Sequence, residues 1–206
     1  MVVAGTNGAG KSSIANGFMP EPRSHYFNPD AFASALTVAR KPPTEANALV
    51  WRMGYDRLRS AIDRGDRFTF ETTLGGESII AELHRALTLR REVHVLYVGL
   101  SSVELHIARV RARVARGGHD IPVAKIRERY SKSLANLITL IGKASSIRLF
   151  DNSVGTADGV PSATLVFRMR GKKIVEPSLP RLLTHCPEWA KPVAAAAIRV
   201  AGMKRR

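Results

Sequence analysis

Apolar and polar positions along this chain switch repeatedly between strand-like and helix-like periods. "MVVA" opens as an unbroken apolar run, "HYFN" is a second short one, and "RFTFET" alternates in period two. "EVHVLYVGL", rich in β-branched and aromatic residues, is the clearest strand, and "IRLFDNS" closes the series. Helical spacing fills the intervals. Helices are predicted over Ser12 to Phe18, Glu45 to Arg64, Glu77 to Leu89, Val103 to Arg116 and Val123 to Ile141, with "GGHDIP" breaking the last two apart. In the third of them Ile79, Ile80, Leu83 and Leu87 share one face. Strands alternating with helices of this length predict an α/β fold, a parallel sheet covered on both sides.

Past Asn152 the pattern changes. "GTADGVP" is turn-rich, "ATLVFRMRGKKIVEP" reads as a hairpin turning near Arg170 to Lys172, and a short helix is expected around Val193 to Val200. The expected division is a core over 1–153 and a basic C-terminal hairpin/helix appendage over 154–206. A length of 206 residues suits one domain with an addition, and 45% hydrophobic against 24% charged residues is a soluble globular balance. No apolar run reaches membrane-span length and no leader pattern opens the chain, so the cytoplasm is the expected compartment and no membrane partner is expected. Cys186, the single cysteine, cannot form an intramolecular disulfide and reads as a partly buried structural thiol.

Charge changes the picture more. Lys and Arg number 32 against 17 Asp and Glu, a formal net charge of +15. Such an excess attracts polyanions, including nucleic acid and phosphorylated small molecules, without choosing among them.

The chemistry starts directly after the first strand. Gly5-Thr6-Asn7-Gly8-Ala9-Gly10-Lys11-Ser12 matches the Walker A pattern in full, between a strand and a helix. Glycines let successive backbone N–H groups approach phosphate oxygens, Lys11 reaches the β- and γ-phosphates, and the Ser12 hydroxyl ligates magnesium. Gly5, Asn7, Gly8, Ala9, Gly10, Lys11, Ser12 and Ser13 are the expected contacts to ATP, with Ser12 also meeting Mg2+.

Further along, Asp30 in "YFNPDAF" follows the second strand, where it can accept a proton from an attacking hydroxyl. Equally, "NPDAF" reads as a helix start capped by Asn28. Glu71 ends "FTFET", and with Thr72 it can hold a substrate hydroxyl; an N-cap cluster for the next helix is the competing reading. Arg109, Arg113 and Arg116 are spaced to share a helix face and form a phosphate clamp, with Gly117-Gly118 as a hinge or turn and His119 as a polar turn residue.

The ordered series "VVAGTNGAGKSS", "FNPD", "FETTLGG", "RVxxRVxxGGHDIP", "IRERYSKSLANL" and "LFDNS" resembles the zeta-toxin-like P-loop kinases over roughly residues 1–153. That resemblance implies a three-layer fold similar to nucleoside monophosphate kinases, and phosphoryl transfer from ATP. It matches Asp30 to a general base, Glu71 to a substrate-holding carboxylate, and Arg109 and Arg116 to two phosphate-facing arginines, with Arg113 competing for either place. In the best-known zeta toxins the acceptor is the sugar hydroxyl of UDP-N-acetylglucosamine, and the family implies an antitoxin protein partner. The "GGHDIP" form marks a shorter branch and leaves the acceptor open. Two rival expectations stand beside a small-molecule kinase: a polynucleotide kinase or nucleic-acid-linked ATPase, and a non-catalytic nucleotide-binding member of a toxin–antitoxin pair.

Overall fold

The computed structural model describes residues 1–15, 17–18, 26–29, 31–33, 43–154 and 162–203. Seven strands form one sheet: β1 (Val2–Ala4), β2 (Tyr26–Phe27), β3 (Thr69–Thr72), β4 (His94–Gly99), β5 (Ser146–Asp151), β6 (Thr164–Arg170) and β7 (Lys173–Glu176). The spatial order is β2-β3-β1-β4-β5-β6-β7, parallel through β5 and antiparallel beyond it. Helices α1 (Lys11–Ala15), α2 (Pro43–Arg64), α3 (Glu77–Thr88), α4 (Val103–Val114), α5 (Val123–Leu140), α6 (Leu179–His185) and α7 (Lys191–Gly202) connect or cover the strands, and a 3-10 turn spans Glu188–Ala190. Every strand and long helix expected from the apolar pattern is present, most within two residues of its expected ends.

The sheet divides its alternating side chains between two unequal faces. Val2, Ala4, Phe70, Val95, Tyr97, Ile147 and Leu149 join a large core with residues of α2, α3, α5 and α7, whereas Val3, Leu96, Val98 and Phe150 form a smaller one with Ala15 of α1. Although β1 has only three residues, each pairs on both sides, Val3 opposite Glu71 and Leu96, and all are buried. Its neighbours supply what its length does not.

The hairpin turns at Gly171 and Lys172, with Gly171 at φ +51°. It adds β6 and β7 to the same sheet, and Phe167 and Met169 enter the large core together with Trp189, Val193 and Ala197. Cys186 is half-buried, and burial raises its thiol pKa above the usual value. That keeps it protonated, as a structural thiol would be.

Helix α5 fixes the loop that follows β3. Ser133 Oγ donates to the Thr73 carbonyl at 2.6 Å and Asn136 Nδ2 to that of Leu74 at 2.8 Å. Leu74 itself sits at φ +55°, a conformation these bonds hold in place.

Candidate active site

Residues 5–12 coil tightly between β1 and α1, with Gly5, Gly8 and Gly10 at φ +139°, +83° and +85°. Side chains are excluded there by space as well as by dihedral preference. A Cβ on Gly5 would stand 2.1 Å from the Val98 carbonyl oxygen, and one on Gly8 2.8 Å from that of His106. Two buried side chains hold the loop from outside. His106, 1% exposed, bonds through Nδ1 to the Asn7 carbonyl at 2.8 Å, and Asn152, 0% exposed, donates from Nδ2 to the Ala9 carbonyl at 2.8 Å. Because a carbonyl only accepts, the imidazole hydrogen is assigned to Nδ1. Burial, with Lys11 and Arg109 nearby, pushes the His106 pKa down to about 4, so at neutral pH the ring is uncharged.

At the end of β3, Glu71 is 6% exposed. The Tyr26 hydroxyl and Asn28 Nδ2, the latter at 3.3 Å, both donate to its Oε1. Burial and the carboxylate together raise the Tyr26 pKa, so the phenol keeps its proton and its donor role. Asn28 also reaches Ser12 Oγ at 3.3 Å and caps a short helical turn, the Ala31 N–H donating to its Oδ1 at 3.2 Å. The capping role expected of Asn28 is therefore present, and the same side chain joins the phosphate loop to Glu71. Asp30 lies outside the described residues. Glu71 is no cap: α3 begins after Gly76, with no side-chain bond at its N-terminus. Thr72 turns its hydroxyl to the Leu74 N–H at 3.0 Å.

A cleft of about 530 Å³ opens beside the loop, lined among others by Lys11, Glu71, Trp51, Tyr55, Lys125 and Arg129. Trp51 and Tyr55 of α2 stack at 5.2 Å and 9°, and the Tyr55 hydroxyl donates at 3.1 Å to buried Glu82, itself paired with Arg85 at 2.7 Å. His119, Asp120 and Thr72 also line the cleft.

The three arginines expected to form a clamp part company. Helix α4 ends at Val114, so only Arg109 and Arg113 share its face, and Arg116 is exposed in the following turn. Arg113 braces that turn, donating from Nη2 to the His119 carbonyl at 2.9 Å while its own carbonyl accepts from the Gly118 N–H at 3.0 Å. Arg109 is half-buried beside Gly8 and donates to the Ser153 carbonyl at 3.4 Å; burial draws its pKa below the usual value, opposed by Asp151. Arg129, which spacing did not single out, enters the cleft and donates from Nη1 to Asn7 Oδ1 at 2.9 Å. Its signal was an arginine between the buried Ile126 and Ser133 on the inward face of α5.

No family profile matches the chain. An uncharacterized protein of Haemophilus influenzae is 32% identical to it over 133 residues, which make up 61% of this chain and 88% of the relative. The chain belongs to the family of that protein. Among solved structures, the complex of AvrRxo1-ORF1 with AvrRxo1-ORF2 and sulphate ions matches 100% of this chain at a TM-score of 0.64 and 17% identity. The chain spans 65% of the AvrRxo1 chain it matches. The same pair with ATP matches at a TM-score of 0.63. A structure from the PezAT chromosomal toxin-antitoxin system of Streptococcus pneumoniae matches at 0.55 and 14% identity, over 98% of this chain and 87% of its counterpart. These likenesses show the mixed α/β fold that the strand and helix pattern predicts. No helix among the described residues is long and apolar enough to cross a membrane.

Proposed function

We propose that the chain transfers the γ-phosphoryl group of ATP to a hydroxyl of a small molecule held in the cleft beside β3. The observation that carries this reading is the opening of the phosphate loop into a cleft shared by Lys11, Glu71 and Arg129. Cations on the donor side and an oriented carboxylate on the acceptor side are what in-line transfer requires. In the proposed step the acceptor oxygen bonds to the γ-phosphorus as the bond to the β–γ bridging oxygen breaks. That electron pair leaves with ADP, and the hydroxyl proton passes to Asp30. Glu71, held by Tyr26 and Asn28, orients the hydroxyl, while Lys11, Arg109 and Arg129 offset charge on the moving group.

Magnesium arriving with ATP fits these residues. Among the described residues no cluster of His, Cys, Asp or Glu is arranged as a resident metal site, whereas Ser12 supplies a hard oxygen donor at the loop. The ion's contribution would be to neutralise phosphate charge.

A sugar nucleotide such as UDP-N-acetylglucosamine is the first acceptor to test, since Lys125 and Arg129 bring cations into the cleft for its diphosphate. The net charge of +15 favours a second reading, in which the acceptor is a nucleic-acid 5′-hydroxyl. Neighbours solved with partner chains support an antitoxin protein as the binding partner. The deciding experiment measures ATP consumption over sugar nucleotides, other small hydroxyl compounds and 5′-hydroxyl oligonucleotides, with Lys11→Ala as the blank. Turnover with one acceptor, lost in Asp30→Asn, is the expected result. No turnover with any acceptor, together with an Asp30→Asn protein that behaves as wild type, defeats the kinase reading.

A further inference from the structure

The turn that ends β5 touches four parts of the molecule within three residues. Asn152 holds the phosphate loop at the Ala9 carbonyl, and its side chain occupies the space where a Gly10 Cβ would stand. The Ser153 carbonyl accepts from Arg109, and Ser153 Oγ accepts from the Ser101 N–H at 2.7 Å after β4. Asp151 holds the turn together: its Oδ1 takes the Ser153 N–H at 3.1 Å and the Ser153 hydroxyl. A third donor to that oxygen comes from the C-terminal region, where Trp189 Nε1 lies 3.2 Å away.

Trp189 reaches this carboxylate through a gap left for it. Its ring lies on Gly99, where a Cβ would stand 2.2 Å from the indole, and it stacks near Tyr97 with centroids 6.5 Å apart. The side chain is 7% exposed. A tryptophan whose ring is buried while its N–H meets a carboxylate satisfies both halves of its chemistry, and the direction of that N–H is fixed by packing.

We propose that Trp189 is a positioning residue for the nucleotide site, through which the C-terminal region orders the Asp151–Ser153 turn and so sets Arg109 and the phosphate loop. The assignment rests on the kinase reading only as far as nucleotide binding. Arg109 meets the phosphates; Trp189 acts through Asp151 and Ser153 without touching the nucleotide.

The test is calorimetric binding of a non-hydrolysable ATP analogue, with Mg2+, to the full chain, for wild type, Trp189→Phe, Arg109→Ala and the double variant. Loss of one charge-assisted hydrogen bond predicts affinity about fivefold to tenfold weaker in Trp189→Phe. In the Arg109→Ala background the same substitution should cost less than it does in the wild type, because one of the two groups that the turn positions is gone. In steady state the KM for ATP should rise while the acceptor KM holds. Asp151→Asn, which keeps the shape of the turn, should reproduce the weakening and stands in if Trp189→Phe fails to fold. Wild-type affinity in Trp189→Phe and Asp151→Asn, or weakening that adds in full to that of Arg109→Ala, overturns the assignment. A wild-type protein that binds the analogue yet transfers nothing defeats the kinase reading and leaves the brace measurable. One that binds no nucleotide defeats both.

Discussion

The two sides of the cleft are built differently. On the phosphate side, backbone conformation and buried hydrogen bonds dominate: three glycines at positive φ, with His106 and Asn152 at 1% and 0% exposure gripping the Asn7 and Ala9 carbonyls. On the other side, side chains from α2, β3, the 119–122 segment and α5 converge, and Trp51 is 52% exposed. The first side can change very little without losing its shape. The second can change its side chains while the phosphate loop stays as it is, so in the transfer proposed above the difference separates the constant part of the chemistry from the part that would select an acceptor.

Gly5→Ala breaks this comparison most severely. The new methyl would meet the Val98 carbonyl at 2.1 Å, inside the central strand pair, at a φ that alanine resists. Stability should fall by about 3 kcal/mol or more, with nucleotide binding lost. Gly76 is the control on the acceptor side, where φ is −98° and nothing lies within 4 Å of an added Cβ. Gly76→Ala should change stability by less than about 0.5 kcal/mol. Denaturant midpoints for the pair decide the matter, and similar values would remove the distinction.

Glu71→Gln comes next and asks whether the sides act independently. Glutamine keeps an oxygen for Tyr26 and Asn28 but loses the charge proposed to orient an acceptor hydroxyl. Transfer should fall about 100-fold to 1,000-fold while ATP affinity changes less than about twofold. Equal losses in both would make Glu71 part of the donor side.

What the sequence disclosed follows the same line. The phosphate loop was legible because its constraints are local: glycine spacing, one lysine and one hydroxyl, placed between a strand and a helix. Glu71 was legible as a strand terminus. Arg116 was expected on the α4 face because helical spacing continues to it, yet the chain leaves the helix at Val114 for a turn that Arg113 braces. Trp51 and Tyr55 fall within the helix expected over Glu45 to Arg64, and nothing local shows that α2 faces the end of β3. Likewise the turn-rich break after Asn152 marked a boundary in composition, but the hairpin beyond it continues the sheet, because pairing with β5 is a long-range contact.

His106 gives the smallest effect and tests the phosphate side alone. Its pKa of about 4 in the folded chain lies below the 6.5 of an unperturbed imidazole. Between those values the unfolded chain binds the extra proton, so stability from this group is complete above about pH 6.5 and is lost as pH falls towards 4. Among the described residues its surroundings offer no counter-charge for an imidazolium: Lys11 and Arg109 are positive, the Asn7 carbonyl accepts a bond already made, and Tyr130 meets the ring edge-on at 5.5 Å. From pH 7 to pH 5 the wild type should lose on the order of 2 kcal/mol to this group. His106→Asn keeps an amide N–H for the carbonyl and does not titrate, so its stability should fall less over that range, the difference being the His106 contribution. Chemical denaturation of both proteins at the two pH values measures it. Parallel pH profiles would mean that the loop's grip does not depend on a neutral ring at 106.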